Sequence, residues 1–307
     1  MTEEQRFRNM QVPNHKIDVV LDTDTYNEID DQYALGYMLM CEDKLNVKGI
    51  LAAPYMDWNG IHTPEYGMER SYEEIFHILR LMNREDMSGV VYKGSCGYLP
   101  DEKTPVESEA AQFLAELSSH YSPENPLYII AIGAITNVAS AMLMNPDMAN
   151  NTVVVWLGGT AYHVGHSYEF NLLQDVAAAR VVMGSGVPFI HIPCEGVVTE
   201  FRTTQYELEY WLKGKNAFCD YLVKHTTEAA EKYAKGTAWS RVIWDVTAVA
   251  WLMNDDDRYM LSELRSCPIP QYDHHYSFTN NRPIIRYVNR IKRDELFTDL
   301  FTRLSAG

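Results

Sequence analysis

Between Asp22 and Asp31 the chain places four aspartates within ten residues, Asp22-Thr23-Asp24 and then Asp30-Asp31, directly after the apolar run of residues 17–21. Like charges at that density repel one another unless protons or a cation neutralise them. An all-oxygen donor set suits a hard ion such as Ca²⁺ or Mg²⁺. Aspartate also caps helices and favours their first turn. Capping and first-turn placement can account for Asp30 and Asp31, but not for Asp22 and Asp24, which close an apolar strand. A further acid, Asp245, lies in the apolar run Arg241-Val-Ile-Trp244-Asp245-Val-Thr-Ala-Val-Ala. Burial there calls for a partner, either a cation or the amides of a helix that Asp245 would cap.

The elements around these acids set where they lie. Residues 16–22 are short and β-branched, as a buried strand should be, and the run from Asp30 to Met40 has helical character, so the acids fall on a strand-to-helix turn. Strand-like runs recur at 47–53, 89–92, 127–132, 152–157 and 188–192. Helical spacing fills 72–81, 106–117, 136–144 and 175–183, most of 204–253, and a closing helix at 294–304. The alternation predicts an α/β fold: one domain over residues 1–307, with an open, mostly parallel central sheet flanked by helices. In such a sheet, ligands bind beyond the carboxyl ends of the strands. Loops after strands are therefore where chemistry is sought, and two are long, 54–67 and 158–171.

Composition narrows the class of partner. A formal net charge of −16 over 307 residues argues against nucleic acid, which needs a positive footprint, and favours a small neutral substrate. No segment is long and apolar enough to span a bilayer. The opening residues lack the apolar core of a secretion signal, and the five cysteines show no paired spacing. The expected setting is reducing and cytoplasmic.

Three later segments complete the pattern: Ile129-Ile-Ala-Ile132-Gly133-Ala-Ile-Thr-Asn137, Glu169-Phe-Asn171, and Trp244-Asp245. With the first, they resemble the nucleoside hydrolase family, the inosine-uridine-preferring type of N-ribohydrolase, over most of the chain. The resemblance implies hydrolysis of the N-glycosidic bond of a nucleoside to free base and ribose, with Ca²⁺ as cofactor. It makes Asp24 metal ligand and general base, Asp31 a bidentate metal ligand, the Ile132 carbonyl and Asp245 further ligands, and Asp30 an acceptor for a ribose hydroxyl. Asp22 supports the cluster from behind, while Glu169 and Asn171 grip the ribose. Family members are dimers or tetramers, which implies a homodimer or homotetramer here.

The chain departs from the family pattern in places. The family's Asp-x-Asp-Pro-Gly-x-Asp-Asp becomes Asp22-Thr-Asp24-Thr-Tyr-Asn-Glu-Ile-Asp30-Asp31, two residues longer and without the Pro or Gly. Trp244 stands where inosine-uridine-preferring members carry a leaving-group His. Purine-specific members have a Trp there that stacks on the base, so the expectation leans to purine nucleosides; the other reading of Trp244 is a core aromatic. Asp57, Trp58 and Asn59 are candidates for the base pocket, and His166 or His163 for the place of a missing ribose-binding Asn. Two rival readings attach to the same residues. One is a haloacid-dehalogenase-like, Mg²⁺-dependent phosphohydrolase built on Asp22-Thr-Asp24. The other is a non-catalytic, calcium-dependent ribose or nucleoside binder.

Overall fold

A computed structural model describes residues 1–60 and 62–307, with Tyr233 described by its backbone alone. In chain order the strands are β1 (Ile17–Thr23), β2 (Leu45–Ala52), β3 (Val91–Lys93), β4 (Leu127–Ala131), β5 (Thr152–Leu157), β6 (Phe189–Ile192), β7 (Arg202–Thr203), β8 (Arg241–Val242), β9 (Met260–Ser266), β10 (Ile269–Pro270), β11 (Tyr276–Ser277) and β12 (Ile284–Ile291). Eight of them form the central sheet in the order β3-β2-β1-β4-β5-β6-β12-β9. Every pairing is parallel except β12 with β9. The remaining four make two short antiparallel ribbons, β7–β8 and β10–β11. This is the α/β fold expected from the alternation of elements.

Side-chain alternation along the strands explains the layers. Val19 and Leu21 of β1 join Ile50, Ile130, Val155 and Ile190 on one face, whereas Val20 joins Leu51, Ile129, Val154 and Trp156 on the other. Both faces are buried, as parallel strands require. The order of the strands reverses between β1 and β4, which stay parallel: β2 and β3 lie to one side of β1, and β4 to β6 follow on the other. The carboxyl ends of β1 and β4 therefore flank a topological switch point, where the crossovers part and leave a crevice. Asp22 and Thr23 close β1 at that edge.

The structure differs from the expected elements in several places. The helix expected over 72–81 runs Pro64–Leu81 and takes in the end of the 54–67 loop, because Thr63 caps it and Pro64 suits its first turn. Residues 85–90 form a 3₁₀ turn and β3 is only three residues long, because Gly89 and Ser88 interrupt the apolar run. The stretch 204–253 is helical over Gln205–Trp211, Ala217–Ala234 and Val246–Leu252, but β8 interrupts it. The antiparallel pair β9 and β12 was not anticipated. β9 is an edge strand with Leu264 and Arg265 exposed and Glu263 half-buried, so its pattern lacks the continuous apolar run of a buried strand. The closing helix runs Arg293–Ala306, slightly longer than expected. No helix among the described residues is long and apolar enough to cross a membrane.

One side chain binds the strand ends together. The Asn137 amide donates to Asp22 Oδ1 at 2.8 Å and to the Ala52 carbonyl at 3.2 Å. Its oxygen accepts from the Ser95 backbone amide at 2.8 Å and the Ser95 hydroxyl at 2.9 Å. Asn137 thus joins the end of β1, the end of β2 and the segment after β3, with all four contacts buried. Asn137→Ala would strand several buried polar groups, each loss costing about 1–3 kcal/mol. We expect a lower denaturation midpoint in urea; an unchanged midpoint would mean that this network does not brace the sheet edge.

Candidate active site

The floor of the site is built by two helix starts and the end of one strand. Asp30 and Asp31 occupy the first turn of the buried helix Asp30–Leu39, whose N-cap is Ile29. Neither caps it in the usual sense. Asp30 Oδ2 accepts from the Trp244 backbone amide at 3.1 Å, and Asp31 Oδ1 from the Thr23 hydroxyl at 2.6 Å. Asp245 sits at the N-cap position of helix Val246–Leu252, yet its side chain makes no capping bond. Of the two partners open to Asp245 from the sequence, the capped helix amides are therefore not the one it takes. Carboxylate oxygens of Asp30, Asp31 and Asp245 all lie within 4.8 Å of one another, and the three residues are buried. Both helix starts add partial positive charge behind these acids, which lowers the cost of gathering them.

Hydrogen bonding leaves this cluster short of partners. Asp22 Oδ2, Asp24 Oδ2 and Asp30 Oδ1 are buried without a hydrogen bond among the described residues. Buried polar atoms are normally satisfied, so buried carboxylate oxygens left without a hydrogen bond mark a place for protons or a cation. Burial raises the pKa of Asp24 and of Asp245 well above the usual carboxylate value. The nearby charge of Asp31 adds to the effect on Asp24, and those of Asp30, Asp31 and Asp24 to the effect on Asp245. Burial likewise lifts Asp22 to about 7, against the opposing Asn137 hydrogen bond, and lifts Asp31 to about 7 with help from the Asp30 charge. The donors are all oxygen and suit a hard divalent cation.

The first turn of the site contains more than its aspartates. Glu28, in the long Asp24-to-Asp30 turn, is ion-paired with Arg241, whose Nη2 is also 3.7 Å from Asp30 Oδ1. Arg241 belongs to β8, three residues before Trp244, so this ribbon delivers a cation, an aromatic ring and an acid to one wall. Gly133 presses against the same floor: a Cβ there would lie 2.6 Å from Asp24 Oδ1. Only a residue without a side chain lets the loop after β4 approach Asp24 so closely.

Above the floor lies a cavity of about 500 Å³. Its lining includes Asp24, Asp30, Asp31, Asp245, Glu169, Asn171, Ile132 and Trp244, which brings together most of the residues singled out in the sequence. Asn171 Nδ2 donates to the carbonyls of Ile132 at 2.9 Å and Leu157 at 3.0 Å, tying the loops after β4 and β5. Glu169 caps helix Phe170–Gln174, accepting from the amides of Asn171 at 3.0 Å and Leu172 at 3.1 Å, and also from the Gly159 amide at 2.5 Å. Burial raises its pKa, although these three amides oppose the shift.

Some placements differ from the sequence reading. The tightest acidic group contains Asp30 together with Asp31 and Asp245, while Asp24 stands beside that group. Asp22 is not among the lining residues; it lies behind the floor, held by Asn137. His166 lies outside the lining; its Nε2 is 4.0 Å from Glu195 Oε2, and Glu195 does line the cavity. His163, Asp57 and Asn59 are not lining residues either, whereas Trp58 is. The sequence reading missed Tyr168 and Phe170, whose rings meet Trp58 at 6.0 and 5.0 Å. Both flank Glu169, so proximity to that motif was the available signal. Glu28 and Arg241 were also unassigned, because a surface pair is the ordinary expectation for such residues.

With this geometry established, comparison with known proteins is informative. The family profile of the inosine-uridine preferring nucleoside hydrolases matches residues 61–293. The chain belongs to this family. The match starts beyond the acidic turn, the part of the chain that departs from the family's spacing. The inosine-uridine preferring nucleoside hydrolase of Leishmania major is 29% identical over 104 residues, 33% of this chain and 33% of that protein. The chain thus aligns with about a third of the length of that relative. The pyrimidine-specific ribonucleoside hydrolase RihA of Escherichia coli is 24% identical over 255 residues, 73% of this chain and 81% of RihA. Among solved structures, the purine-preferring ribonucleoside hydrolase from Gardnerella vaginalis superposes with a TM-score of 0.74 at 18% identity, covering 94% of this chain and 98% of that one.

The elevated carboxyl pKa values have a definite sign. A carboxyl that holds its proton more tightly when folded contributes stability below its unfolded pKa of about 4 and loses it as pH rises through about 7. Protein stripped of divalent ions should therefore melt at progressively lower temperature as the pH rises from about 5 to about 7.5. Adding Ca²⁺ at the upper end should restore the loss. A flat profile with no response to the ion would contradict this account of the cluster.

Proposed function

We propose that the chain is a calcium-dependent nucleoside N-ribohydrolase that leans to purine nucleosides. The observation that carries this reading is the convergence of Asp30, Asp31 and Asp245, from separate parts of the chain, beneath a cavity with unpartnered acidic oxygens and an aromatic mouth. Family membership supports the reaction class. In this reading Asp24, Asp31, Asp245 and the Ile132 carbonyl would hold the ion, and Asp30, whose carboxylate lies within 4.8 Å of those of Asp31 and Asp245, would share that task. A bound Ca²⁺ supplies charge neutralisation and Lewis acidity toward oxygen.

The chain's own groups then divide the work. Asp24, whose buried Oδ2 has no hydrogen bond among the described residues, is placed to take a proton from the attacking water. The water oxygen bonds to the anomeric carbon as the C–N bond breaks, and the bonding pair leaves with the base. Asp30, Glu169 and Asn171 are positioned for the ribose hydroxyls, and the surrounding carboxylates favour the positive charge that grows on the sugar ring. No covalent sugar–enzyme intermediate is required. His166, outside the cavity lining, has no part in this reading.

The purine lean rests on the mouth. Trp244 and Trp58 offer flat faces on the cavity, with Tyr168 and Phe170 beside Trp58, an arrangement suited to a planar base. The fold neighbour from Gardnerella vaginalis is purine-preferring, while RihA is pyrimidine-specific, so the lining aromatics are the support on which the preference stands.

Three substitutions test the assignment, with inosine and a pyrimidine nucleoside scored for released reducing sugar. Asp24→Ala should lower kcat by about 10²–10⁴, the usual worth of a general base; unchanged turnover would refute that role. Asp245→Ala should chiefly raise the Ca²⁺ concentration needed for activity, and an unaltered calcium dependence would remove it from the ligand set. Trp244→Ala should slow purine nucleosides more than p-nitrophenyl riboside, whose leaving group needs no help; equal losses would count against stacking.

A further inference from the structure

Trp58 is 59% exposed although it lines the cavity. Its ring touches Tyr168 and Phe170 on one side, and the rest is open to whatever enters the mouth. Such a ring cannot hold its own loop in place by burial, so the backbone two residues earlier is informative. Gln174 Oε1 accepts from the Met56 amide at 3.0 Å, and Gln174 Nε2 donates to the Met56 carbonyl at 2.9 Å. One side-chain amide thus grips both polar groups of one residue, as a neighbouring strand would. The Tyr98 hydroxyl donates to the same Gln174 oxygen. Tyr98 is itself located by Asp175, whose Oδ2 accepts from the Leu99 amide at 2.9 Å.

The same short helix, Phe170–Gln174, therefore faces two ways. Its start carries Glu169 and Asn171 on the sugar side, its Phe170 ring meets Trp58, and its end holds Met56. We infer that Gln174 is a positioning residue that fixes Trp58 over the cavity mouth, and so sets affinity for the base without touching substrate. The inference rests on the hydrolase reading for its consequence in catalysis, but the clamp itself can be examined without it.

Two measurements decide the matter. In hydrogen–deuterium exchange, Gln174→Ala should speed exchange of the peptide containing residues 54–60 by about tenfold, the scale of losing hydrogen bonds of ordinary strength. Unchanged exchange would overturn the clamp, whatever reaction the protein catalyses. In inosine hydrolysis, Gln174→Ala should raise KM by about tenfold with kcat within about threefold, as expected when binding is lost and the chemical step is not. Gln174→Glu, which keeps the acceptor for the Met56 amide and for Tyr98, should recover part of the loss. The double variant Gln174→Ala/Trp58→Ala should be no worse than Trp58→Ala alone, because the clamp acts through that ring. Additive losses would overturn the positioning role. Wild-type protein that releases no ribose from any nucleoside would instead defeat the hydrolase reading, with the exchange result still standing on its own.

Discussion

Buried negative charge that the protein does not itself neutralise is the constraint around which this structure is arranged. Asp22, Asp24, Asp30, Asp31 and Asp245 are almost fully removed from water, and three of them keep an oxygen with no hydrogen bond. Among the described residues, Arg241 is the cation placed against the cluster, and it is shared between Glu28 and Asp30. A fold gains nothing from such a collection as packing, since apolar residues of similar size would be more favourable there. The arrangement makes sense as a site whose missing charge arrives with a ligand.

The scaffold pays attention to this point at several levels. The switch between β1 and β4 opens a crevice at the sheet edge, and two helices begin there, so backbone dipoles moderate the repulsion. Gly133 lets the loop after β4 reach Asp24, and Asn137 ties Asp22 to the ends of neighbouring strands. Asn171 joins the Ile132 and Leu157 carbonyls, so the loops after β4 and β5 are tied to each other. The floor is thus cross-braced and acidic, while the mouth is aromatic and held in part by Gln174. That division matches a substrate with a polyhydroxylated half and a flat apolar half.

Much of this was legible in the sequence, for identifiable reasons. Short apolar strands alternating with amphipathic helices announce a parallel sheet, and acids that end an apolar strand are hard to explain by local capping. Asp245 was ambiguous because an N-cap and a ligand occupy the same position along the chain; only the absence of a capping bond separates them. β9 escaped notice because an edge strand with Leu264 and Arg265 exposed lacks the apolar signature of the interior, and β12, though it lies between β6 and β9, has its apolar run broken by Arg286, Asn289 and Arg290. Tyr168, Phe170 and the Gln174–Met56 contact depend on how two distant loops meet, which no local pattern encodes. The longer Asp24-to-Asp30 turn was visible as a departure, but its pairing of Glu28 with Arg241 required the fold.

The central claim is that this acidic floor takes one hard divalent ion. Equilibrium dialysis of chelator-stripped protein against Ca²⁺ at neutral pH, with bound metal counted per chain, tests it most directly. The account predicts saturation at one ion per chain, lost when Asp31 and Asp245 are both replaced by Asn. Binding that never saturates, or that is the same in the doubly substituted protein, would contradict it.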